Sequence, residues 1–446
     1  MMRKHQQHKY GLAATAMSLL ATVPVSAQVQ ELNVQRDTIP TYLKIQNKGI
    51  VNNALDVLNG NAAGVNVTSN GMDRMAQLSS VRVRGTTSII GGNDPLVIID
   101  GVTSDIATLS TIYPADIESF SVLKNAAETA LYGSRGASGV IEVKTKKGTG
   151  KGFQISYETN IGMEYLATAK KLGVYANNGG HDNNFYDVIT RTGFVQNHYL
   201  AFSGGSEQSN YRASFGYIDH NTIIKTKDYN NFVAKIDVTQ HAFDNRLKGD
   251  FGVFGSTFRN NDIFDSQMLF YSAACQNPTY PAGRDANGNW TKNGSAYRIN
   301  PPSAVLVERS DQKEMYFNTH MRLVYDLAPS LKLSAFGSYS YTSNENSEFC
   351  PTWVWAQGNV YRGEFKNQEY LGNVSLDYAH TWNAHTLSAG ISTEYHYQEH
   401  TAFWTHAKGI TTNDFGYDNI GATSSRPYGG TGSTYDDMSL ASVMAN

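Results

Sequence analysis

The chain has only two cysteines, Cys275 and Cys350. That excludes a disulfide-dense scaffold and a thiol-ligated zinc cluster. Charge is scarce too: 17 % of residues are Asp, Glu, Lys or Arg, against about 25 % in ordinary globular chains. The net charge of −3 gives no electrostatic footprint for nucleic acid. Past the N-terminal stretch no apolar run is long enough for a membrane-spanning helix. Aromatics and glycine, by contrast, are abundant, with 27 Tyr, 19 Phe and 40 Gly. Low charge with many aromatics and glycines suits a β-barrel, whose strands hide their hydrophobicity by alternation.

The first residues read as a secretory signal peptide over 1–27. Arg3, Lys4 and Lys9 form a basic region, Gly11 to Val23 is mostly apolar, and Val25-Ser26-Ala27 supplies small residues before a cut at Gln28. The apolar run is short for a bilayer-spanning anchor. The export it implies places the two cysteines in an oxidising compartment, where one disulfide can form.

The stretch "VLKNAAETALYGSRGASGVIEVKTKKG", Val122 to Gly148, has glycines reminiscent of a phosphate-binding loop. Asn125 and Glu128 have capping-box spacing, Ala126 to Tyr132 favour helix, and Gly133 suits a helix end. Val140 to Val143 then read as strand. A dinucleotide loop needs its glycines after a strand and before a helix. Here they follow the helix, so the nucleotide reading fails on order. Upstream, Val81–Ser88 alternates like a strand, Asp94–Val102 reads as a strand closed by an Asp-Gly turn, and Ala115–Lys124 alternates again. Short strands with a small helix make a compact α+β domain.

The ordered elements of this region are specific. They are Gly60, Gly64, Val65 and Val67; Val83-Arg84-Gly85; Asn93-Asp94-Pro95-Leu96; Ile99-Asp100-Gly101; and Asp116-Ile117-Glu118. Val122-Leu123-Lys124, Tyr132-Gly133-Ser134-Arg135-Gly136 and Gly139-Val140-Ile141 follow. Together they resemble the plug of a TonB-dependent outer-membrane transporter, most closely of the SusC/RagA type. Asn125 stands where that family usually has an acidic residue, and the N-terminal extension common in this type is missing, which disfavours a signalling transducer. The resemblance implies a periplasmic segment at 28–44, a plug at 45–149 and barrel strands over 150–446.

Alternation supports the barrel. Strands fit near 153–165, 197–204, 209–219, 230–241, 245–260, 314–327, 330–343, 366–381, 384–400 and 437–446. Their connections alternate between short turns and long polar insertions, as in outer-membrane barrels. Val374, Leu376, Tyr378 and Trp382 share one face, opposite Asn373, Ser375 and Asp377. Phe317, Met321, Leu323 and Tyr325 likewise oppose Asn318, His320, Arg322 and Asp326. A plugged barrel has about 22 strands, and roughly ten are legible. The expected architecture is therefore an α+β plug followed by an incomplete antiparallel barrel, an N-terminal part of a transporter, with open edges near 153–165 and 437–446.

His396-Tyr-Gln-Glu399-His400 matches an inverted zinc-peptidase pattern. On a strand, however, its histidines lie about 13 Å apart, too far to share one zinc. No catalytic residue, metal site or cofactor is expected, and no enzyme. What the resemblance implies is mechanical: energy from the TonB–ExbB–ExbD complex, a SusD-like lipoprotein lid, contact with outer-membrane lipid, and an oligosaccharide or peptide cargo. An outer-membrane binding or adhesion protein without energised transport is the alternative. Glu31, Leu32, Asn33 and Val34 are the expected TonB contact, against an unstructured linker. Arg82 and Arg84 alternate onto one face and can pair with lumen carboxylates, or within the plug, or remain solvated. Cys275 and Cys350, placed in the 261–313 and 344–365 insertions, are expected to bridge outside the cell.

Overall fold

The computed structural model describes residues 53–58, 65–67, 81–83, 85, 93–150, 152–166, 183–263, 269–270, 272–273, 276, 283–288, 306–383 and 385–445. Its N-terminal domain contains α1 (Ala54–Leu58), β1 (Leu96–Ile99), β2 (Val102–Ser104), α2 (Ile106–Thr111), β3 (Ile117–Leu123), α3 (Ala126–Thr129) and β4 (Val140–Thr145). The strands form one sheet in the order β2-β1-β4-β3. The β1–β2 hairpin turns on Asp100 (φ 53°) and Gly101 (φ 90°), the pair of positive φ values that suits a two-residue hairpin. Asp105 caps α2 by accepting from the Thr108 amide at 2.6 Å. Leu55, Leu58, Val97, Leu109, Ile141 and Val143 build the domain core.

Two local expectations change. One half of the capping box is present, with Glu128 accepting from the Asn125 amide at 3.2 Å, but α3 ends at Thr129. A tighter 3₁₀ segment, Ala130–Gly136, follows and is broken at Gly133 (φ 55°, ψ −141°). Of the expected strand at 81–88, the described residues form only an isolated bridge, Arg82 to Asn66.

A second sheet carries β5 (Gln154–Glu164), β6 (Gly193–Gly205), β7 (Ser209–Asn221), β8 (Asp228–Ala242), β9 (Leu247–Asp262), β10 (Arg309–Ala328), β11 (Leu331–Cys350), β12 (Asn359–Trp382) and β13 (His385–Ile410). Short β14 (Thr423–Ser425) and long β15 (Thr431–Ala445) both pair with β13. Helix α4 (Phe185–Ile189) lies between β5 and β6. Neighbours run antiparallel in sequence order, and the sheet is not closed: among the described residues β5 pairs only with β6. Four connections are tight, as at Phe243, Asp244 and Asn245, all with positive φ.

The alternating faces are as read. Phe317, Met321, Val374, Trp382, Leu387 and Tyr395 are exposed, whereas Asn318, His320 and His396 on the other face are buried. Several strands outrun the expected limits, because backbone pairing continues after apolar alternation has ended. β11 reaches Cys350 and β12 begins at Asn359, so the expected 344–365 insertion shrinks to a short loop. His396 and His400 lie on β13 as strand residues. Among the described residues no group of three metal-ligating side chains exists, and no helix is long and apolar enough to cross a membrane.

Candidate functional site

The N-terminal domain sits against the inner face of the large sheet, and its core continues into the wall. Val233 of β8, Phe254 of β9 and Tyr316 of β10 join its apolar cluster, while Val102 packs on Phe336 and Leu371. The seam is also crossed by polar contacts. At Thr111 the backbone oxygen accepts from Asn231 Nδ2 and the hydroxyl oxygen from Ser256 Oγ, each at 3.1 Å, and three further fastenings are built on charged residues.

The first surrounds the Asp100 turn. Asp100 accepts from the Thr145 amide at 3.0 Å, the Thr145 hydroxyl at 2.5 Å and Lys147 Nζ at 3.1 Å. Lys147 also reaches Asp237 of β8 at 2.5 Å, Lys235 pairs with Asp237, and Lys235 lies 3.6 Å from Asp100. Two cations and two anions thus close a ring, three of them largely buried. Burial would raise the Asp100 carboxyl, but Lys235, Lys147 and the Thr145 bonds hold it below its ordinary value. Burial likewise works against the Lys147 cation, and Asp100 and Asp237 outweigh it, raising its pKa. Because Lys147 lies between β4 and β5, the ring pins the connection between the two bodies.

The second centres on Asp116, which is 2 % exposed. It accepts from Tyr199 Oη at 2.6 Å and Ser214 Oγ at 2.8 Å, with Arg212 Nη2 at 3.7 Å. Arg212 donates in turn to Tyr199 Oη at 2.6 Å. Tyr113 stacks on Tyr199 with centroids 4.9 Å apart. The third uses Arg135, which donates to Glu394 of β13 at 2.6 Å and lies 3.4 Å from His396 Nδ1. His396 Nε2 is 2.7 Å from Glu369 of β12. The contacts reach from β6 to β13, so the sheet wraps the domain.

Known proteins resemble this chain in sequence and in fold. Residues 31–140 match the family described as TonB-dependent Receptor Plug Domain. The chain is 31 % identical over 375 residues to the TonB-dependent receptor SusC of Bacteroides thetaiotaomicron, covering 78 % of this chain and 34 % of SusC. The chain belongs to the SusC/RagA type of TonB-dependent receptors. Its fold resembles the RagAB peptide importer in the open-open state, with TM-score 0.73 and 20 % identity over 90 % of this chain and 51 % of that one. The ferric citrate transporter FecA shares the fold more distantly, with TM-score 0.55 and 9 % identity over 86 % of this chain and 50 % of that one. The chain thus spans about a third of SusC and half of the matched RagAB chain.

In this receptor the N-terminal domain is the plug. Arg82 pairs with Asp94 inside the plug, at 2.8 Å, and Arg84 lies outside the described residues, as do Glu31, Leu32, Asn33, Val34 and Cys275. Cys350 does not lie in a loop as expected. It ends β11, is buried, and sits as a thiol 3.6 Å from Glu308 Oε1. The charged plug residues in these fastenings are Asp100, Asp116, Arg135 and the adjoining Lys147. The first three stood within the motif elements that carry the resemblance, read there only as turn and signature residues. Lys235 and Asp237 left a fainter signal, two charges spaced by two on a strand whose other face carries Ile236 and Val238.

One glycine sets how close the plug can come. A Cβ at Gly216 would meet the Tyr113 ring at 2.5 Å. We expect Gly216→Val to part the Tyr113–Tyr199 stack and weaken plug seating by about 1–3 kcal/mol, the usual cost of overpacking. Faster tryptic cutting of the plug, with β-sheet circular dichroism unchanged, would show it. An unaltered digestion rate would mean that the stack does not set the approach.

Proposed function

We propose that this receptor imports an oligosaccharide or peptide across the bacterial outer membrane, with energy drawn from TonB–ExbB–ExbD and a SusD-like lipoprotein as lid. The observation that carries the reading is the seam: beside its apolar contacts, the plug is held by discrete ion pairs and hydrogen bonds that a directed pull can break one after another. Short turns then face the periplasm and long loops the exterior, and the exposed apolar face meets lipid. Above the plug, the inner wall presents uncharged amides. Gln398 donates to Asn367 at 3.0 Å and Gln312 to Asn344 at 3.5 Å, chemistry that suits hydroxyl-rich or peptide cargo. The RagAB chain, similar in fold, belongs to a peptide importer, a cargo within this range.

Uptake assayed with labelled oligosaccharides and labelled peptides should cease in cells lacking TonB. Val34→Pro should abolish it as well, while insertion in the outer membrane persists. Binding that survives without TonB, with no uptake in either background, would favour the adhesion reading. Full uptake with Val34→Pro alone would exclude Glu31–Val34 as the coupling segment.

A further inference from the structure

Trp404 of β13 lies flat against the inner wall. A Cβ at Gly432, the residue opposite it on β15, would meet three adjacent atoms of the indole at 2.6, 3.0 and 3.1 Å. Distances so nearly equal put that Cβ over the ring face and away from its edge. Glycine at 432 therefore lets the ring lie down, with its other face toward the lumen. Across the ladder on the opposite side stands Gly363 of β12. Tyr361 and Phe365, the same-face neighbours of Gly363, lean in over it, and a Cβ there would meet Tyr361 Oη and Phe365 Cε2. Three aromatic rings thus carpet one patch of wall. The patch is eight positions along β13 from His396 and the plug seam, about 26 Å at the strand rise.

Beside the rings, polar groups are left open. Asn346 lies opposite Gly363 and Glu348 opposite Tyr361, both on β11. Nearer the plug the amides satisfy one another, Gln398 with Asn367 and Gln312 with Asn344. By contrast, Asn346, Glu348, Tyr361 and the Trp404 indole N–H make no hydrogen bond or ion pair among the described residues, although all four side chains are half-buried. A hydroxyl-rich ligand would complete them. The patch holds no cation. Arg362 and Lys313 are exposed on the outward face, and Lys408 is four positions beyond Trp404, about 13 Å along the strand. Asp436, four positions from Gly432 on the same face of β15, adds a second negative charge. A pyranose sets weakly positive C–H groups against the negative face of an aromatic ring, while its hydroxyls reach amide and carboxylate oxygens. An extended peptide backbone has no such flat C–H face, and an acidic sugar would meet Glu348 as a like charge. We propose that Trp404, Tyr361 and Phe365 form a stacking subsite for an uncharged pyranose unit of an oligosaccharide, with Asn346 and Glu348 on its hydroxyls, and that Glu348 turns acidic glycans away. That the sugar is cargo rests on the import reading above; that the patch binds it does not.

The test is isothermal titration of the detergent-purified receptor with cellohexaose, mannohexaose and maltohexaose as neutral probes and hexagalacturonate as the acidic one. At least one neutral hexasaccharide should bind, and hexagalacturonate should not. Trp404→Ala should weaken the neutral sugar about tenfold, as loss of one stacking face implies, whereas Trp404→Phe, which keeps a face, should stay within about threefold of wild type. Glu348→Lys should reverse the discrimination and bind hexagalacturonate at least about tenfold more tightly than wild type does. No binding of any neutral probe, preference of the wild type for hexagalacturonate, unchanged affinity in Trp404→Ala, or no gain of acidic-sugar binding in Glu348→Lys would each overturn the proposal. Titration needs no TonB, so the two readings fail separately. Trp404-dependent binding without TonB-dependent uptake would uphold the subsite and sink the import reading. Uptake indifferent to both Trp404→Ala and Glu348→Lys would sink the subsite and leave import standing.

Discussion

Replacing Asp100 with asparagine should loosen the plug markedly, and replacing it with alanine should loosen it further. Asp100 faces Lys147 and Lys235, and only Asp237 would remain to balance both cations. Removing one partner of a buried pair costs about 3–5 kcal/mol, because the other charge stays behind uncompensated. Lys147 is roughly one-third exposed, which puts the asparagine variant at the lower end. Asparagine tolerates the positive φ of this turn and can keep an oxygen toward the Thr145 amide, so its defect isolates the charge. Alanine loses the Thr145 bonds and meets backbone strain at φ 53°, adding about 1 kcal/mol. The readout is the urea concentration at which trypsin begins to cut the plug. The same charge sets a pH signature. Asp100 is held below its ordinary pKa, so its contribution is complete above the unfolded value, near about 3.9, and is lost as pH falls through the lower folded one. Wild type should therefore approach the asparagine variant only below about pH 4. Equal urea thresholds at neutral pH would remove the ring from the fastening.

Much of this architecture is legible in residues because period-two alternation is a one-dimensional signal. Phe317, Met321 and Leu323 against Asn318, His320 and Arg322 state both the strand and its two faces. Where strands leave the apolar belt the signal ends but the ladder does not, which is why β11 and β12 run past the expected limits and carry Cys350 out of its loop. The fastenings were harder to foresee. Arg135 and Glu394 are 259 positions apart, and no local pattern says which lumen carboxylate an arginine meets. Arg82 shows the converse: lumen carboxylates, plug partners and solvent were all open to it, and Asp94, twelve positions on, is the partner it meets. The rejected zinc motif has a use of its own. His396 lies inward on β13 beside Arg135 and Glu369, so the histidine that cannot share a metal with His400 belongs to the plug seam.

The Asp116 site should show a lopsided response to its two charged partners. Asp116→Ala would strip Tyr199 and Ser214 of their acceptor and leave Arg212, whose side chain is 11 % exposed, facing an apolar gap. A buried cation without its partner costs about 3–5 kcal/mol, and orphaned hydroxyls add to it. Arg212→Met should cost far less. Asp116 would keep the Tyr199 and Ser214 hydrogen bonds, and Arg212 Nε is already without a partner. Combining the two should recover much of the loss from Asp116→Ala, since replacing both members of a buried pair with apolar groups is often close to neutral. The urea threshold for tryptic cutting of the plug, measured for both single variants and the double, completes the cycle. A coupling near zero would mean that the carboxylate seats the plug through Tyr199 and Ser214 alone. A double variant more stable than wild type would show that this site gives up stability for a contact that can be broken under load and re-formed in the same place.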